Sequence, residues 1–204
     1  MSALAPRHKG GEVEEFRAAQ AALLVAEREL AAFKNEEHAV PLELPVRWSR
    51  GAPLPQLLVN DQRAFLMFLV ADVDPGWGGT YVTIKDPSSD QREALALVEF
   101  KHCTSAKLGS PNDEVFHGHP LAGKGLDGYT AQVVENSRWI EEIQRTNSVH
   151  RQYRADAWGN RRHYVFWFHD TTFECIAESF TVELHRCSMS ELLAMTCRRL
   201  IEWG

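Results

Sequence analysis

Across residues 12–35 apolar side chains recur every third or fourth position, at Phe16, Ala19, Leu23, Ala26, Leu30 and Phe33, with Glu and Arg filling the other side. The spacing predicts an amphipathic helix whose stripe packs on a sheet. Pro41 and Pro45 end any continuation, so residues 41–55 read as an extended connection with room for one edge strand. From there to residue 135 the helical period gives way to β-type runs at 56–59, 63–72, 80–86, 94–103 and 129–135. Asn60-Asp61 and the clusters at 74–79 and 86–90 supply turn chemistry between them. Such short connections favour antiparallel pairing of successive strands.

Residues 105–128 lack any period and are rich in Gly, with Pro111 and Pro120 among them, which predicts a long loop that is functional or mobile. Beyond it, 137–146 suits a short helix with Trp139, Ile140 and Ile143 inward, and 163–184 reads as a hairpin. Ser188 and Glu191 form an S-x-x-E capping box that starts a terminal helix at 189–202. The expectation is one α+β domain over 1–204, with a mostly antiparallel, meander-like and curved sheet flanked by an N-terminal and a C-terminal helix. Residues 1–11 are expected to be disordered.

Composition narrows the function without naming it. A formal net charge of −6 disfavours nucleic-acid binding, which draws on clustered Lys and Arg. No apolar run approaches the ~20 residues of a spanning helix and the first eleven residues do not resemble a signal peptide, so no membrane association and a cytoplasmic location are expected. The four cysteines, Cys103, Cys175, Cys187 and Cys197, have neither CxxC spacing nor scaffold density and read as free thiols. One basic cluster, Arg145, Arg151, Arg154, Arg161 and Arg162, is opposed only by Asp156, and suits an anionic substrate or partner.

Candidate chemistry concentrates in the hairpin. With a two-residue turn at Thr171-Thr172, His169 lies across from Glu174, and one face carries His163, Val165, Trp167, His169, Glu174, Ile176 and Glu178. A His beside a carboxylate is oriented and made more basic, as a general base near neutral pH requires. His169, Glu174 and His119 are therefore the candidate catalytic residues, and Trp167, Tyr129, Arg161 and His163 the candidate ligand-binding ones. On an extended backbone His117 and His119 point the same way and would offer two imidazoles to a metal ion. That HxH pair resembles the opening of the cupin metal motif, whose downstream Glu has no counterpart between Leu121 and Leu126. No cofactor is indicated.

The leading expectation is a small-molecule pocket between the polar-aromatic sheet face and residues 105–128, with His/Glu acid-base chemistry on a small, anionic substrate. Two alternatives stand beside it: a protein-interaction module with Trp77 and Trp158 as exposed anchors, and a metal-dependent enzyme with a His-rich site.

Overall fold

The computed structural model describes residues 10–71, 86, 88 and 90–202. Its first helix, α1 (Gly10–Phe33), covers the expected range, and Gly10 and Gly11, expected to be disordered, belong to it. Short strands β1 (His38–Pro41), β2 (Gln56–Val59) and β3 (Arg63–Leu69) follow, then β4 (Glu93–Lys101) and β5 (Ser105–Gly109). β6 (Ala131–Glu135) leads into helix α2 (Arg138–Asn147), and β7 (Arg162–Trp167), β8 (Thr172–Ala177) and β9 (Ser179–Cys187) precede helix α3 (Met189–Ile201). Residues 1–9, Trp77 and most of the strand expected at 80–86 lie outside the described residues.

The antiparallel strands form two sheets, ordered β1-β6-β7-β8-β5 and β2-β3-β4-β9. Alternation explains how they pack. Ala64, Leu66 and Phe68 of β3, with Ala96, Val98 and Phe100 of β4, turn toward Tyr164, Phe166, Phe173 and Cys175 of the first sheet, with Trp48 closing the edge. The intervening residues Phe65, Met67, Leu95 and Leu97 face the other way and pack on Met189 and Leu192 of α3. Both faces of β3 and β4 are thus buried, which is why these strands read as continuous apolar runs.

The C-terminal helix follows its sequence signal closely. The Ser188 hydroxyl accepts the Glu191 N–H at 3.2 Å, and the Glu191 carboxylate accepts the Ser188 N–H at 2.9 Å. The loop expected at 105–128 is shorter at its start, because β5 pairs with β8 as the sheet's edge. Its remainder contains a short 3₁₀ helix, Asp113–Gly118. The hairpin expected at 163–184 also divides: β7 and β8 pair, and after Glu178 the chain crosses to the other sheet as β9. Finally, the α1 stripe does not pack on the sheet. Phe16, Leu23, Leu30 and Phe33 are exposed, and only Leu24, Glu27, Arg28 and Ala31 turn inward.

Candidate functional site

The outer face of the first sheet is where the expected site residues gather. β7 and β8 are joined through residues 168–171, with the Phe168 N–H donating to the Thr171 carbonyl at 3.0 Å. Trp167 therefore stands opposite Thr172, and Val165, not His169, stands opposite Glu174. The register differs from the expected one by four residues. An even shift changes every partner but leaves every side chain on its expected face. His163, Val165, Trp167, Glu174 and Ile176 accordingly share one surface and are all buried.

Glu174 is the centre of that surface. Its Oε2 lies 2.9 Å from His163 Nε2, and its Oε1 lies 2.8 Å from Lys107 Nζ and 3.7 Å from His119 Nε2. Burial opposes ionisation of this carboxyl, but the surrounding donors His119, His163 and Lys107 outweigh it and hold the group well below the usual carboxylate range. The other nitrogen of His163, Nδ1, lies 2.9 Å from the Ser137 hydroxyl. Ser137 caps α2, accepting the Ile140 N–H at 3.2 Å. Trp139 covers the His163 ring edge-on at 5.1 Å, and Lys107 Nζ stands 4.7 Å over the Trp139 ring.

An ionised Glu174 only accepts, so the His163 nitrogen facing it, Nε2, carries a proton. In the neutral form of the ring with that proton, Nδ1 is a lone pair and the Ser137 hydroxyl donates to it. The order is Ile140 N–H to Ser137, Ser137 to His163, His163 to Glu174. Ser137 also lines a cleft of about 360 Å³ with Val133, Asn136, Ile140, Arg161 and Arg162. Arg161 is held there by the His102 carbonyl and by Glu178 at 3.3 Å, while Arg162 is exposed.

The remaining expected residues are placed differently. His119 is buried, its Nδ1 accepting the Leu121 N–H at 3.2 Å and its ring meeting Trp167 edge-on at 5.4 Å. Trp167 is a core residue under Phe116 and Leu121, not the wall of a pocket. The 3₁₀ turn breaks the extended backbone on which His117 and His119 would have pointed together, leaving His117 exposed and His119 inside. His169 lies in the hairpin turn, with Nδ1 2.8 Å from Asp170 Oδ1 and Nε2 3.7 Å from Asp113 Oδ2. The Asp170 hydrogen bond raises its pKa, with the nearby charges of Asp113 and Asp170 adding to it. Tyr129 joins this second cluster rather than the first. Its hydroxyl donates to Asp113 Oδ2 at 2.5 Å, and that bond, with burial, pushes the phenol up to about 12.

Two residues around Glu174, buried Ser137 and exposed Lys107, are absent from the expected set. Ser137 is visible in the sequence only as a helix start, and Lys107 sits in a stretch without periodicity. Compared with protein-family models, curated proteins and solved structures, the chain matches none of them.

Proposed function

We propose that the protein is an enzyme of small-molecule acyl chemistry, with Ser137 as nucleophile, His163 as general base and Glu174 as the carboxylate that orients His163. The supporting observation is the directed chain from Ser137 Oγ through both ring nitrogens of His163 to a buried, ionised Glu174, beside a cleft that Ser137 lines. Such relays are recognised by roles and geometry rather than by sequence order. In the step this arrangement suits, Ser137 Oγ bonds to the carbonyl carbon of an ester and its proton passes to His163 Nδ1. The imidazolium is stabilised by Glu174. As the ester C–O bond breaks, the same proton goes to the leaving alcohol, and a water deprotonated by His163 then releases the acyl group from Ser137.

The N-terminus of α2 favours the developing oxyanion, since its amide dipoles present their positive end at Ser137. Arg162 at the cleft rim suits a substrate bearing a carboxylate. His119 and Lys107 hold the far oxygen of Glu174, so the carboxylate cannot swing away from His163. A reducing, intracellular setting accords with four cysteines that are all free. No described helix is long and apolar enough to cross a membrane.

The test is labelling of the purified protein with a fluorophosphonate, located by peptide mass, alongside hydrolysis of p-nitrophenyl succinate and p-nitrophenyl acetate. Labelling is expected at Ser137, with the succinate ester preferred. Ser137→Ala should abolish labelling and turnover at a cost of about 1 kcal/mol in stability, the ordinary worth of a cap. An unlabelled Ser137, or a Ser137→Ala variant that retains the wild-type rate, overturns the assignment.

A further inference from the structure

The exposed stripe of α1 has a regular spacing. Phe16, Leu23 and Leu30 are seven residues apart, and so are Ala19, Ala26 and Phe33, which together make the a and d positions of three consecutive heptads. All six are exposed, Phe16 at 68%, Leu23 at 58%, Leu30 at 55% and Phe33 at 89% among them. The residues that hold α1 to the rest of the chain lie on a different side of the helix. Arg28 donates through Nε to the Ala39 carbonyl at 3.0 Å and through its terminal nitrogen to the Gly125 carbonyl at 2.8 Å. Glu27 accepts the Gly125 N–H at 3.1 Å, and Ala31 is buried beside them.

The helix is therefore anchored by one face of its C-terminal half and leaves its apolar seam uncovered. Its first half, residues 11–23, is exposed at every position. At thirteen residues, such a stretch without tertiary packing sits within the ~12–15-residue range under which isolated helices are marginal in water. A partner along the seam would supply the missing burial.

We propose that α1 pairs with α1 of a second copy as a parallel two-stranded coiled coil. The charges beside the seam select both the partner and its orientation. In a parallel pair, Glu29 at g faces Lys34 of the other chain, which follows the last residue of α1 in the e register with its N–H still bonded to the Leu30 carbonyl, an attractive contact formed twice, and Glu15 faces the neutral Gln20. In an antiparallel pair Glu15 meets Glu29 at both ends, a repulsive contact formed twice. A two-fold axis along the seam also sets the two sheet-bearing bodies on opposite sides of the coil, because each is docked away from the a/d positions. The small Ala19 and Ala26 let the helices approach closely between the larger Phe16, Leu23 and Leu30.

Sedimentation equilibrium of the full chain at 1–100 μM is expected to give a dimer. Leu23→Glu should make it monomeric while leaving the thermal melt of the sheets in place, since Leu23 is exposed and belongs to none of the core clusters. Glu29→Lys should weaken association roughly five- to tenfold, and adding Lys34→Glu should restore it. Orientation is read in a Cys197→Ser background, where Ala19→Cys should form an intermolecular disulfide under mild oxidation; in the antiparallel arrangement Ala19 faces Leu30 and no cross-link forms. A wild-type monomer at 100 μM, a dimer that survives Leu23→Glu, or no Ala19→Cys cross-link in a dimer overturns the proposal. These readouts involve no residue of the acyl-transfer site, so either proposal can fail without the other.

Discussion

The β7–β8 hairpin carries a His–carboxylate pair at each end, almost identical in distance and opposite in surroundings. At the base, His163 Nε2 and Glu174 Oε2 are 2.9 Å apart with side chains 5% and 9% exposed. At the turn, His169 Nδ1 and Asp170 Oδ1 are 2.8 Å apart with side chains 43% and 76% exposed. Water solvates the second pair whether or not the contact forms, so the contact is worth little. The first pair has lost its water, and each member relies on the others of its network. Distance alone does not separate the two; desolvation does.

Removing one partner should expose this difference most sharply. Glu174→Ala leaves His163, His119 and the foot of Lys107 without their common acceptor and should destabilise the protein by about 3–5 kcal/mol, the cost of breaking a buried pair. Urea unfolding measures it, and a loss under ~1 kcal/mol would place the base pair in the same class as the turn pair.

Acid gives a smaller contrast of known sign. The folded-state pKa of Glu174 lies below its ordinary value of 4.5, so its contribution is complete above that value and drains away as pH falls below it toward the folded pKa. Wild type should lose stability between pH 5 and pH 3 faster than Glu174→Gln. Parallel stability–pH curves for the two would remove the charge of Glu174 from the account.

The smallest effect belongs to the turn. Asp170→Asn should change stability by no more than about 0.5 kcal/mol and lower the pKa of His169, because an amide oxygen accepts from the ring more weakly than the carboxylate whose hydrogen bond and charge raise it. In the same NMR titration Glu174→Gln should leave His169 unmoved. If Glu174→Gln shifts His169 as far as Asp170→Asn does, the two ends of the hairpin are one electrostatic unit and the comparison fails.

Parity explains what the sequence reveals of this site and what it conceals. Alternation assigns His163, Trp167 and Glu174 to one face whatever the turn length, as long as the error is even, and a four-residue turn in place of a two-residue one changes partners without changing faces. Partner identity depends on a turn whose composition, Phe168-His169-Asp170-Thr171, carries no Gly to specify it. The capping box of α3 is legible because its two members, Ser188 and Glu191, lie three residues apart in the chain. Ser137 and His163 belong to different elements, and nothing local announces that a helix cap will meet a strand histidine. For α1 the period is correctly read as a stripe, but a period does not say what covers it. β5 escapes notice because Ser105–Gly109 is a short edge strand, whose alternation of Ala106 and Leu108 with Ser105 and Lys107 spans too few residues to stand out from the Gly- and Pro-containing stretch that follows.

The crossing at Glu178, where the strand bearing Glu174 leaves one sheet and continues into the other, sets the tempo of folding. β9 closes the second sheet by pairing Cys187 with Glu93, while β1 closes the first by pairing His38 with Glu135. Contacts between residues so far apart in the chain are slow to find, since loop entropy is lost before they reward it. On the ribosome, neither sheet can finish before its later strand emerges, and β4 waits with one edge unpaired until β9 is made. Through that interval the α1 segment is already outside and, needing nothing from the sheets to expose its seam, is free to meet another copy first.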